Sequence, residues 1–125
     1  MMLIRPKLSL RPELLLRIGL GLLFLTNAVT AWFNPDEFRE ILSTSFLGML
    51  FGPTDWLIPV IGINDTVLGL LIMSGWWRTI TAIWASLWVL GVIAVTGIVT
   101  PEFALHLGVL ALIAAYAAPI QTTEE

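Results

Sequence analysis

The chain has 125 residues, 58% of them hydrophobic and 12% charged, with a net charge of -3 and a mean hydropathy of +0.92. Soluble domains are about a quarter charged and just under half apolar, and a chain this short buries too little of its surface to hide the excess. A soluble fold is excluded, and lipid is the solvent. The absence of cysteine excludes disulfide exchange, thiolate metal centres and iron–sulfur clusters, and a single histidine argues against a multi-His metal or haem site. No metal and no covalently bound cofactor is expected. The few basic residues gather at one end and form no patch for nucleic acid.

One membrane domain is expected over residues 1–125. Crossing the hydrocarbon core takes about 20 mostly apolar residues, and four stretches qualify: residues 12–32, 56–74, 78–96 and 101–118. The predicted class is all-α, an integral-membrane four-helix bundle running up-down-up-down. Helix one follows a basic flank (Arg5, Lys7, Arg11) and opens on Pro12, a residue suited to a first helical position. Its run into Val29-Thr30-Ala31 also looks like a cleavable signal peptide. It is long enough to span, however, and carries small residues placed for packing, so a retained helix is expected.

The segment from Phe33 to Asp55 reads differently. Asn34-Pro35-Asp36-Glu37 has the pattern of an N-cap, an N1 proline and an acidic first turn. Phe38, Ile41, Leu42, Phe46 and Met49 then recur at helical spacing, with Glu37, Arg39, Glu40 and Ser43 off the stripe. A short amphipathic helix at the membrane surface, or across the bundle's mouth, is predicted between helices one and two. Helix two carries Pro59 near its start, where a kink or late start is expected, and stops at Gly75. Short turns then force antiparallel neighbours; Thr100 and Pro101 open helix four, Pro119 closes it, and Gln121 to Glu125 form a frayed tail.

Orientation follows the lysines and arginines of short flanks. Arg5, Lys7, Arg11, Arg17 and Arg78 share one side, against Arg39 among Asp36, Glu37, Glu40, Asp55 and Glu102 on the other. A multi-pass protein of the cytoplasmic (plasma) membrane with both termini cytoplasmic is expected. Small residues at four-residue spacing mark packing faces: Gly21 and Ala28 on helix one, Gly62 and Gly69 on helix two, and Ala104/Gly108 and Ala111/Ala115 on helix four.

The candidate site residues are the polar ones inside the spans. A charge at the bilayer centre costs about 2.5–3.5 kcal/mol on insertion scales, so Asp65, near the middle of helix two, needs a partner or a task. Arg17 shares a helix-one face with Gly21, Phe24 and Ala28. If that face meets the Gly62/Asp65/Gly69 face, the two charges can approach as an ion pair. A protonated Asp65, or one that contacts a ligand, proton or ion, is the alternative. Asn64 lies about 100° around the helix from Asp65, so the two are not expected to point the same way, and one of them is expected to bond within the bundle or at a subunit contact. Asn27 is a candidate partner, and His106 lies one turn into helix four. Trp77, Trp84 and Trp88 form a stripe on helix three that faces lipid or a neighbour, or stacks on a flat ligand such as a quinone.

Two stretches match a known pattern. One is Arg17-Ile18-Gly19-Leu20-Gly21-Leu22-Leu23-Phe24-Leu25, followed by Phe33-Asn34-Pro35 and Phe38. The other is Gly62-Ile63-Asn64-Asp65 with Gly69-Leu70-Leu71-Ile72, Gly75 and Arg78. Together they resemble the DoxX/DoxD-like family of small four-helix membrane proteins. The chain departs from that family in having Asp65 where glutamate is common, and Thr30-Ala31-Trp32 where a lysine is frequent. The resemblance implies an accessory subunit of a membrane-associated, quinone-linked oxidoreductase complex, with Arg17 and Asp65 as its matched polar residues and quinone as a non-covalent cofactor. The alternatives are a small homo-oligomeric transporter or channel, with a polar path past Asp65, Asn64 and Asn27, or a ligand-free membrane scaffold. Catalysis by this chain alone is not expected, because it lacks a nucleophile–base set. The lipid bilayer and either a protein partner or a second copy are its expected partners.

Overall fold

A computed structural model describes residues 11–118; Arg5, Lys7, Pro119 and the tail lie outside the described residues. These fold into six helices: α1 (Pro12–Phe33), α2 (Pro35–Thr44), α3 (Phe46–Phe51), α4 (Leu57–Ser74), α5 (Arg78–Thr96) and α6 (Pro101–Ala117). α1, α4 and α5 are each long and apolar enough to cross a membrane, and α6, also apolar, has 17 residues, the lower limit of a span. Leu22, Ile63, Ile80, Leu87 and Leu105 are exposed around the outside, as they should be where the surroundings are lipid. The protein is an all-α, multi-pass membrane bundle.

Helix ends fall where the punctuation puts them. Pro12, Pro35 and Pro101 occupy first turns, where a missing N–H leaves no bond unmade. Pro59 sits in the first turn of α4 for the same reason. Gly75 closes α4 at φ 75°, donating its N–H to the carbonyls of Leu71 and Ile72. Trp77 follows at φ 47°, a left-handed conformation uncommon for a side chain of this size. Asn34 and Thr100 hold the N-cap positions, yet neither side chain makes a capping bond.

The four long helices close into a ring, α1 against α4, α4 against α5, α5 against α6 and α6 against α1. Leu20, Phe24, Leu68, Ile72, Ala85, Val89, Ile113 and Tyr116 form its core. The α1–α4 seam is the tightest contact. A Cβ added at Gly69 would sit 2.7 Å from Leu25 Cγ and 3.0 Å from the Gly21 carbonyl oxygen, and the Trp32 ring lies over Gly62. The small-residue faces of these two helices therefore meet. The one on α6 does not: Ala104, Gly108, Ala111 and Ala115 are exposed, and Ile113 and Tyr116 are what α6 buries. Composition alone assigned that stripe to packing within the chain. The apolar side of α6 is no guide, because both its faces are apolar.

The predicted surface helix is two helices. Ser45 adopts an extended conformation and bonds its hydroxyl to the Leu42 carbonyl at 2.7 Å, ending α2 before the stripe is complete. Leu42 is buried with Ala31 and Ile58, and Phe38 packs beside them. Phe46, Met49, Leu50 and Phe51 of the α3 turn are exposed instead. α2 thus roofs the bundle at its acidic end, while α3 turns apolar side chains outward.

Candidate ligand chamber

Beneath the α2 roof is a cavity of about 580 Å³. Its walls come from the second halves of α1 and α5 and the first halves of α4 and α6, so every spanning helix contributes. Phe24, Phe38, Ile61, Trp88, Val92 and Val109 make it largely apolar. That volume lies in the range of small-molecule sites. Below it, Leu20, Leu68, Ile72, Ile113 and Tyr116 are at most 1% exposed, so the cavity is a blind chamber and not a pore.

Asp65 lies at its polar floor, 1% exposed. The Asn27 side-chain amide donates to one carboxylate oxygen, and the Asn64 amide donates to the other at 3.2 Å. Trp84 Nε1 donates to Asn64 Oδ1 at 2.9 Å. A hydrogen-bonded chain thus runs across α5, α4 and α1 in the middle of the bundle. The 100° between Asn64 and Asp65 implied that they point different ways, and each does reach a different helix, Asn64 to Trp84 and Asp65 to Asn27. Adjacent positions can still touch side to side, and the Asn64 amide reaches back along the helix surface.

The expected Arg17–Asp65 pair does not form. Arg17 donates through Nε at 3.1 Å and Nη2 at 2.6 Å to the Met73 carbonyl, and sits 3.9 Å from Glu13. The helix faces do meet, but α1 and α4 run antiparallel, so Arg17 faces the end of α4 and Asn27 faces Asp65. Ten positions separate Arg17 from Asn27, about 15 Å along the axis, which no arginine side chain spans. At that basic end Arg78 clasps the bundle. It bonds Glu13 of α1 at 2.7 Å and the Tyr116 carbonyl of α6 at 2.5 Å, and its guanidinium stands 4.6 Å from the Tyr116 ring centroid.

His106 lines the chamber wall, with its Nδ1 buried and unpartnered. Glu37, in the first turn of α2, and Glu102, in the first turn of α6, stand exposed at the rim. From sequence, Glu37 marked the first turn of the surface helix and both marked orientation, but neither was a candidate site residue. Their places in first turns at the same end as the half of α4 that carries Asp65 were the available signal. The tryptophan stripe divides: Trp77 is exposed in the turn, Trp84 bonds Asn64, and Trp88 faces the chamber. Among the described residues no three His, Asp or Glu side chains are grouped to hold a metal.

No curated protein and no solved structure matches the chain. A family model does. It covers residues 11–101, which hold α1 to α5 and the Asn27–Asp65–Asn64 floor, and by that match the chain belongs to the family described as methylamine utilisation protein MauE.

Proposed function

We propose that the chain is a non-catalytic membrane accessory protein of an amine-utilising oxidoreductase system, with the chamber as its working site. Membership of the methylamine utilisation family carries this reading, and the likeness to DoxX-type oxidoreductase subunits at α1 and α4 points to the same class. The chamber gives the role a place: a bundle with only a scaffolding task has no use for an unfilled space around a membrane-embedded carboxylate. A quinone is one candidate occupant, favoured by the flat faces of Trp88 and Phe24 in apolar walls. The side chains packed under Asp65 leave no path through a single bundle, so a transporter would need its path between copies of the chain.

In a host that grows on methylamine, deleting the chain should remove most amine-dependent oxygen uptake by membranes, and re-expression should restore it. Uptake unchanged by the deletion would overturn the reading. We propose that the acidic end, with Glu37 and Glu102, faces away from the cytoplasm; the clustering of arginines at the other end supports this orientation. Reporter fusions after Leu47 and at the C-terminus should accordingly report opposite sides. The same side for both would refute that placement.

A further inference from the structure

We propose that the chamber binds an organic cation, an ammonium group carried on an apolar body, with Asp65 as its counter-ion. The inference rests on the reading of the chamber as the working site. The charges around the space are of one sign: Asp65 on the floor, Glu37 and Glu102 at the rim. None of the four described arginines lines it. Arg17 and Arg78 are engaged at the far end by Met73, Glu13 and Tyr116, and Arg39 is held outside the roof by Asp36 and Asp55. Asp65 accepts from a neutral amide on each of its oxygens, and neither donor carries a charge. In its ionised form this buried carboxylate would need a countercharge, and no described arginine is placed to supply one.

The rest of the chamber fits such a ligand. An ammonium donates hydrogen bonds and accepts none, so it suits the lone pairs left on Asp65. Phe24 and Trp88 offer ring faces that attract a cation. A bare small ammonium would leave most of the 580 Å³ empty, and the leucine and valine walls reward an apolar body. A quinone, whose carbonyls only accept, finds no free donor at Asp65. The acidic rim adds a field that draws cations in.

The test is calorimetric titration of the full chain in lipid nanodiscs with n-hexylammonium, hexan-1-ol and decylubiquinone, with empty nanodiscs subtracted. Hexylammonium should bind saturably at one site and hexan-1-ol much more weakly. Asp65→Asn should weaken hexylammonium about thirtyfold or more, since a buried charge pair loses one partner. Should Asp65→Asn fail to fold, the comparison of hexylammonium with hexan-1-ol on the native chain decides alone. Val92→Phe, which narrows the chamber and spares the carboxylate, should also abolish binding. Equal affinity for the amine and the alcohol overturns the proposal, as does unchanged affinity in Asp65→Asn. Saturable decylubiquinone binding that hexylammonium cannot displace overturns it in favour of a quinone. A chain that fails to bind hexylammonium while its deletion still removes amine-dependent oxygen uptake loses this inference and keeps the accessory role. Binding without any effect of the deletion does the reverse.

Discussion

Asn27→Leu should lower the stability of the bundle by about 2–3 kcal/mol, read as a shift in reversible unfolding by SDS. Leucine has the same number and branching of side-chain heavy atoms as asparagine but no donor, so the loss is chiefly that of the hydrogen bond. It strips the donor from one oxygen of a carboxylate that is 1% exposed, and a charged group left short of a partner costs more than a neutral one. In an Asp65→Leu background the same substitution should cost far less, with a coupling of about 1–3 kcal/mol between the two positions. Arg17→Gln combined with Asp65→Asn should instead be additive within about 0.5 kcal/mol, because the two side chains have separate partners. Strong coupling between Arg17 and Asp65 would mean that α1 and α4 are out of register by several turns.

Gly69→Val should be at least as damaging, by about 2–3 kcal/mol, and Gly108→Val should stay within about 0.5 kcal/mol. Both glycines lie inside apolar helices, and what faces them differs. At Gly69 even a methyl would press on Leu25 and on the Gly21 backbone, and a branched side chain forces the helices apart. Nothing lies within 4 Å of a Cβ added at Gly108. Equal losses at the two positions, in the same SDS titration, would show that the α6 face is covered in the assembled protein. That would identify the exposed small-residue stripe as a contact with another chain.

The spans were legible because hydropathy, proline and glycine act locally. Pro12, Gly75 and Pro101 mark their helix ends without help from the rest of the fold. Depth was not legible. Periodicity gives the angle of a residue around its helix but not the height at which the partner helix crosses it. Arg17 and Asp65 were thus assigned to facing surfaces correctly and to each other wrongly. The Gly21–Gly69 contact sets that height and puts Asn27 beside Asp65. In a lipid-facing helix such as α6 even the angle is obscure, because both faces are apolar. The chamber itself was invisible in sequence, being defined by what four helices and a roof fail to fill. His106 and Trp88 were noticed as residues, but nothing local placed them on one wall.

The bundle's fastenings are unevenly distributed, and this has a mechanical consequence. α1 and α4 are zipped backbone to backbone, and α5 and α6 form the other half. Arg78 joins the halves at the basic end through Glu13, and Trp84 joins them at mid-depth through Asn64. Above that level they are bridged by the apolar underside of α2, where Leu42 and its neighbours meet Val95. Apolar contacts slide more readily than an ion pair breaks, and hinge motions concentrate where few bonds resist them. The expected consequence is that relative motion of the two halves is smallest at the Arg78 end and largest at the end roofed by α2, where hydrogen exchange should be fastest.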